Sequence, residues 1–233
     1  VRTGRRNPRP DGEADQRAVV VASDALTSRD GCGSLRMMSL LKPSPTLIAE
    51  HLRRQRDSAL SYDFAGLSRT IPQAATPAGF LLDHRREQIG SGDAAWERAK
   101  LAIDQFVMFQ NGWTELHAPQ GPPRVGNVVG MLVWIGGLWW LNPARVLYEV
   151  AEKLPDGKKR FGFAYGTLPG HVERGEERFW VEQEPDGTVW YDLSSFSQPR
   201  HPLVRLFSPM ARRIQLRFGR DSMQAMRRFV TGA

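Results

Sequence analysis

The sequence predicts an α+β domain, in which a curved antiparallel sheet of about six strands packs on a long C-terminal helix. Three observations carry this reading. From Gly126 onward, apolar residues recur with the period of strands instead of helices. Asp156-Gly157 and Asp186-Gly187 fall between neighbouring strand-like runs as hairpin turns, and hairpins pair strands antiparallel. Leu203, Leu206, Phe207, Met210, Ile214, Phe218, Met226 and Phe229 then recur at helical spacing, with arginines opposite.

The elements follow in order. Residues 1–36 are rich in Arg, Asp, Gly and Ser and read as a disordered basic tail. Because the chain opens on Val1 and Met37-Met38 stands just ahead of the first ordered-looking element, this tail reads as a mis-assigned start, leaving 37–233 as the domain. Order is expected from Ser44, an N-cap followed by Pro45 at the first helical position, with Leu47, Ile48 and Leu52 on one face and an end near Ser58. Residues 60–79 are turn-rich. A first strand is expected over 80–89. Gly90-Ser91-Gly92-Asp93 breaks it, and Asp93 is expected to cap a helix to Gln110 whose apolar face is Trp96, Ala99, Ala102, Ile103, Phe106 and Phe109. Further strands are expected over 128–135, 145–152, 160–167, 178–184 and 188–196, then a helix over 203–230 bent at Gly219.

Composition excludes several classes. With 41% hydrophobic and 24% charged residues the chain is neither collagen-like nor disordered throughout. The longest apolar stretch, 128–141, is 14 residues and broken by glycines, too short for a transmembrane helix. A single cysteine, Cys32, precludes an internal disulfide and fits a reducing compartment, and no apolar region of signal-peptide length follows Arg5-Arg6. A cytoplasmic location is therefore expected. The net charge of +7 resides wholly in residues 200–233, which hold eight arginines and one acid, Asp221. No aromatic residue interleaves those arginines except on the apolar side, so nucleic acid is not an expected partner.

The densest cluster of special residues is the run from Phe161 to Phe179. Along its strand Phe161, Phe163, Tyr165 and Thr167 point one way, while Gly162, Ala164 and Gly166 leave room for something large on the other. His171, Glu173, Glu176 and Glu177 read as a polar connection into the next strand, suited to acid/base work or to pairing with the terminal arginines. One histidine with no His-x-x-x-His or Cys-x-x-Cys spacing is not a metal motif, and no metal or cofactor is expected. Gly90-Ser-Gly92-Asp-Ala-Ala95 fits a dinucleotide fingerprint, but the strand before it carries Asp83, His84, Arg85, Arg86 and Glu87, where a buried parallel strand is apolar.

The run YGTLPGHVERGEERF, residues 165–179, resembles the signature of the bacterial and plant group called uncharacterised protein family 0548. Gly90-Ser-Gly92 leading into the Ala-rich helix, the strand Arg145-Val-Leu-Tyr-Glu149, and Phe196-Ser-Gln-Pro199 before the arginine-rich helix fit the same pattern. The resemblance spans roughly 44–230 and implies no catalytic residues. The element order resembles the helix-grip arrangement of Bet v 1 and START domains, whose sheets often enclose an apolar cavity.

A hydrophobic or amphipathic small molecule between sheet and C-terminal helix is accordingly the expected ligand. Trp139, Phe163, Phe207, Met210 and Ile214 are expected as walls, and Tyr165, Thr167, His171 and Glu173 as the groups fixing its polar end. Two alternatives stand beside it. One is an enzyme using His171 and Glu173 in cyclisation, hydration or hydrolysis; the other is an adaptor whose basic helix docks an acidic partner or anionic membrane.

Overall fold

A computed structural model describes residues 37–70 and 76–232. The tail read over 1–36, and its reading as a mis-assigned start, lie outside the described residues. Eight strands form one antiparallel sheet: β1 (Met37–Ser39), β2 (Leu81–Ser91), β3 (Thr114–His117), β4 (Val128–Ile135), β5 (Leu138–Lys153), β6 (Lys159–Thr167), β7 (Glu173–Gln183) and β8 (Thr188–Pro199). Their spatial order is β2-β8-β7-β6-β5-β4-β3, with β1 pairing β5.

The α+β class and the antiparallel pairing hold, with eight strands in place of about six. β1 and β3 span three and four residues, too short to show a period. Order accordingly begins before Ser44. β5 starts well ahead of 145 because Gly136 and Gly137, at φ 63° and 80°, make a two-residue turn that pairs Ile135 with Leu138 and Trp134 with Trp139. β7 starts at Glu173, so most of the expected polar connection is strand, with Tyr165 opposite Glu177 and Gly166 opposite Glu176.

Three helices of more than one turn and one short helix accompany the sheet. α1 (Pro45–Arg54) is capped by the Ser44 hydroxyl, which accepts from the Leu47 amide at 3.3 Å, as expected, and it ends at Arg54. α2 (Gly92–Asp104) begins from Ser91, not Asp93. It stops short of Gln110 because Phe106 takes a left-handed φ of 53°, after which Val107–Phe109 forms a 3₁₀ turn. The expected apolar face survives this break, since Trp96, Ala99, Ala102, Ile103, Phe106 and Phe109 are all buried. The C-terminal helix is divided into α3 (Pro202–Leu206) and α4 (Ser208–Thr231), separated at Phe207. Pro209 accounts for the division: it has no N–H with which to continue a helical ladder back to the Arg205 carbonyl, and its ring crowds that carbonyl.

One face of the sheet packs on α2 and the C-terminal half of α4. Phe163, Phe179, Val181, Val189 and Tyr191 meet Ala99, Ile103, Phe106, Met226 and Val230 in a single core. Gly90 is the close-approach point, for a Cβ there would lie 2.7 Å from the Ala95 Cβ and 3.1 Å from Val230. Helix packing accounts for that glycine. The opposite face is covered twice. Ile48 and Leu52 of α1 pack on Leu132 and Leu141, while Tyr62 and Phe64 pack on Phe196.

Candidate functional site

Beyond the point where α2 and the 3₁₀ turn stop filling the space, sheet and helix separate around a cavity of about 530 Å³. Met131, Val133, Ile135, Leu138 and Trp140 from the β4–β5 hairpin form one wall, and Leu203, Val204, Phe207, Met210, Ile214 and Phe218 from α3 and α4 form the other. The floor is polar and comes from the inward-facing positions of β2, β6, β7 and β8: Asp83, Tyr165, Glu173, Glu177, Ser195 and Ser197.

Two hydrogen-bonded groups organise that floor. Arg212 clasps Asp83 with both terminal nitrogens, Nη2 reaching Oδ1 at 2.7 Å, and also donates to Gln215. Gln215 Nε2 donates to Glu173 Oε1 at 2.6 Å and to Ser197 Oγ at 3.1 Å. This chain latches α4 to the far end of the sheet by polar contacts, where no apolar core exists to do it. Separately, the Tyr165 hydroxyl donates to Glu177 Oε2 and lies 3.6 Å from Met131 Sδ.

The electrostatics follow from burial. Removal from water pushes the Glu177 carboxyl up to about 7; Glu173 and Asp83 add to the rise, and the Tyr165 hydrogen bond opposes it. Glu173 is likewise raised by burial. Burial holds the Tyr165 phenol well above its ordinary value, so it remains the donor of its pair. His171 is lowered by burial to about 4, and its Nδ1 accepts from the Glu173 amide at 3.0 Å. A neutral ring accepting at Nδ1 carries its proton on Nε2, which makes His171 a hydrogen-bond donor at neutral pH and a poor base.

Of the residues expected to form the site, Tyr165, Thr167, His171, Glu173, Phe207, Met210 and Ile214 line this cavity. Trp139 and Phe163 do not. Trp139 packs with Ile48, Leu52, Leu132 and Leu141 on the opposite face of the sheet, under Lys42, and its neighbour Trp140 lines the cavity instead. The reason is the period of two in β5, where adjacent tryptophans face opposite ways. Phe163 is fully buried, stacked at 5.2 Å on Phe179 and edge-on to Phe106, inside the filled part of the core. The Thr167 hydroxyl is already engaged, sharing a hydrogen bond with Ser61 Oγ at 2.6 Å and accepting from the Gly175 amide at 2.9 Å. Phe207, read as lying on the buried side, is 53% exposed at the cavity rim because the helix breaks there.

The site also takes in Glu177, expected only as one member of the acidic run, together with Asp83, Trp140 and Arg212, which are not among the expected site residues. Alternation from Glu173 would have found Glu177, but the segment was read as a connection in which alternation does not apply. Its neighbour Glu176 faces the other way, where Oε1 accepts from Tyr62 at 2.8 Å and from the Gly66 amide, and Oε2 from the Ser68 amide at 2.9 Å. The large group admitted by Gly166 is therefore the chain's own Tyr62, whose hydroxyl would lie 2.2 Å from a Cβ at that position. Among the described residues, no group of three or more His, Cys, Asp or Glu is arranged to hold a metal ion.

A small α+β domain of helix-grip architecture, with a half-open cavity between sheet and helix, is the class these features define. Within it the chain belongs to the family described as Domain of unknown function (DUF1990), which residues 61–225 match. It is 39% identical over 194 residues to a UPF0548 protein of Deinococcus radiodurans, covering 79% of this chain and 94% of that one. A UPF0548 protein of Dictyostelium discoideum is 32% identical over 204 residues, covering 82% and 94%. The resemblance carried by residues 165–179 is thereby borne out. Among solved structures, a hypothetical protein from Helicobacter pylori matches with a TM-score of 0.46 at 10% identity, over 74% of this chain and 96% of that one. No described helix is long and apolar enough to cross a membrane.

Proposed function

We propose that this chain binds a hydrophobic or amphipathic small molecule in the cavity between sheet and C-terminal helix. The observation that carries the reading is the distribution of groups in a space of about 530 Å³: apolar walls from the β4–β5 hairpin, α3 and α4, and polar groups gathered on the floor. A volume of this size, with few convergent polar groups, suits a ligand of drug or metabolite dimensions. The apolar body lies against Trp140, Val133, Met210 and Ile214. Its polar end meets the Tyr165–Glu177 pair, the Nε2–H of His171 and Glu173. Native mass spectrometry of freshly purified protein, set against its denatured mass, tests this directly. A discrete mass lost on denaturation is expected. A clean apo mass, together with no saturable uptake of a hydrophobic fluorescent reporter, removes the reading.

One observation favours a second reading, an enzyme on the same scaffold. Glu177 titrates at about 7 within the cavity, so near neutral pH it can both take and give a proton, and Tyr165 supplies a hydrogen bond to its ionised form. His171 is the weaker base, its ring holding a proton only below about pH 4. Once a bound molecule is identified, turnover that disappears in Glu177→Gln but persists in His171→Ala assigns the proton transfer to Glu177. Turnover intact in Glu177→Gln excludes it.

A further inference from the structure

The cavity opens at one end of the molecule, and that end carries large apolar side chains in water. Leu206 is 71% exposed, Leu40 67%, Leu41 61%, Trp134 57% and Phe207 53%. They come from three separate segments that the fold brings together. Leu40 and Leu41 follow Ser39, which pairs with Trp139; Trp134 pairs with that same residue across the β4–β5 turn and so stands at the hairpin tip on the outer face of the sheet. The turn borders the cavity opposite Leu203 and Phe207, and Trp140 meets His201 at 5.2 Å, so α3 lies beside the hairpin tip. Solitary exposed apolar residues need no explanation, but a convergent set from three segments marks a surface that meets something apolar.

Charge identifies the partner. Arg205, next to Leu206 in α3, and Arg213, one turn beyond Met210 in α4, are both exposed, and neither makes an ion pair with a described residue. Along α4 the exposed stripe runs Met210, Arg213, Leu216, Arg217 and Arg220, in which apolar and cationic side chains share one side. That mixture suits the boundary between headgroups and acyl chains of a bilayer: apolar groups enter the boundary while guanidinium groups stay among anionic headgroups. It suits a second copy poorly, because a two-fold contact would set Arg205 and Arg213 against their own images. Nor do residues 1–36 complement it, since seven arginines against five acids leave them positive as well.

We propose that this end of the molecule docks on an anionic lipid surface, placing the cavity mouth against the bilayer. Docking stands without the cavity reading; passage of a ligand between bilayer and cavity rests on it. Co-sedimentation of the full chain with vesicles of phosphatidylcholine and about 30 mol% phosphatidylglycerol tests the proposal. Binding is expected, and it weakens at least about ten-fold when salt rises from about 0.1 M to about 1 M. The double variant Leu206→Glu/Trp134→Glu, and separately Arg205→Glu/Arg213→Glu, should each lose at least about ten-fold in affinity. Arg228→Glu, near the other end of α4, should lose far less. None of Leu206, Trp134, Arg205 and Arg213 lines the cavity, so reporter binding within it should persist in both double variants and separates a docking failure from a cavity failure. No binding to these vesicles, binding indifferent to the tip variants, or a dimer in sedimentation velocity that Leu206→Glu abolishes would overturn the proposal.

Discussion

The two halves of the C-terminal helix carry one amphipathic pattern and meet opposite fates. In the second half, Met223, Ala225, Met226 and Val230 are buried against α2 and the sheet. In the first half, together with α3, Leu203, Phe207 and Met210 keep at least 39% of their surface. The cause is what lies between helix and sheet. α2 and the Phe106–Phe109 turn fill that space under one half, with Phe109 packing on Tyr165, Phe179 and Phe218 where the filling ends. Under the other half no element enters, and polar latches such as Arg212–Asp83 and Gln215–Glu173 hold the helix instead. An amphipathic stripe therefore reports that a helix has an apolar side, and the neighbouring elements decide whether that side becomes core or cavity wall.

The sharpest way to break this comparison is to empty each half in turn. Phe163→Ala, in the filled half, should cost about 3–5 kcal/mol in urea unfolding, the usual range for truncating a fully buried phenylalanine. Met210→Ala, already in contact with open space, should change stability by less than about 0.5 kcal/mol. Equal effects would mean that the cavity is closed in solution.

Next in size is a dependence on pH. The Glu177 carboxyl is raised from 4.5 to about 7 on folding, so its neutral form is the one the fold favours. Its contribution to stability is complete below about pH 4.5 and is lost as pH rises through 7, a change on the order of 3 kcal/mol. His171 runs the other way, lowered from 6.5 to about 4, so stability is lost as pH falls through that range. The two windows overlap, and the variant separates them. Glu177→Gln should match the native chain at acid pH and exceed it at pH 8, with the gap opening between these limits. A pH-independent difference would place Glu177 in water.

A smaller effect is expected from the other face of β7. Glu176→Gln replaces an acceptor of three hydrogen bonds from Tyr62, Gly66 and Ser68 with a group that turns a donor toward one of them. About 1–3 kcal/mol of stability should be lost, with faster amide exchange at Gly66 and Ser68. Exchange that speeds up everywhere alike would show that this segment does not open on its own. The mildest change is Met210→Trp, which should leave unfolding almost unaltered while weakening uptake of a hydrophobic reporter. Unaltered uptake would count against the cavity as the binding place.

These pairs also show how far the site was legible. Trp139 and Trp140 stand side by side in the sequence, and the expected ligand wall takes Trp139. In a strand of period two, which neighbour faces inward depends on register, and register was set by a turn whose strand extended through Pro143. Glu173, Glu176 and Glu177 were visible as one acidic run. Recognising the run as strand divides it, sending Glu173 and Glu177 to the cavity and Glu176 to a buried structural role. Asp83–Arg212 spans 129 residues of sequence and had no local signal at all. Phe106 looked like a helix residue by spacing, and its left-handed backbone became visible only in three dimensions.

What the amino-acid order determined by itself was local: hairpins at Asp-Gly pairs, a cap at Ser44-Pro45, apolar faces at periods of two and 3.6, and a charge excess confined to the last helix. These follow from backbone sterics and side-chain spacing, which act over a few residues. The tertiary structure decided whether an apolar stripe is buried or left lining a cavity, which of two adjacent carboxylates faces the cavity and which is held by Tyr62, Gly66 and Ser68, and which exposed leucines gather at one end. Those outcomes depend on the volume between packed elements and on desolvation, and neither quantity exists until distant segments meet.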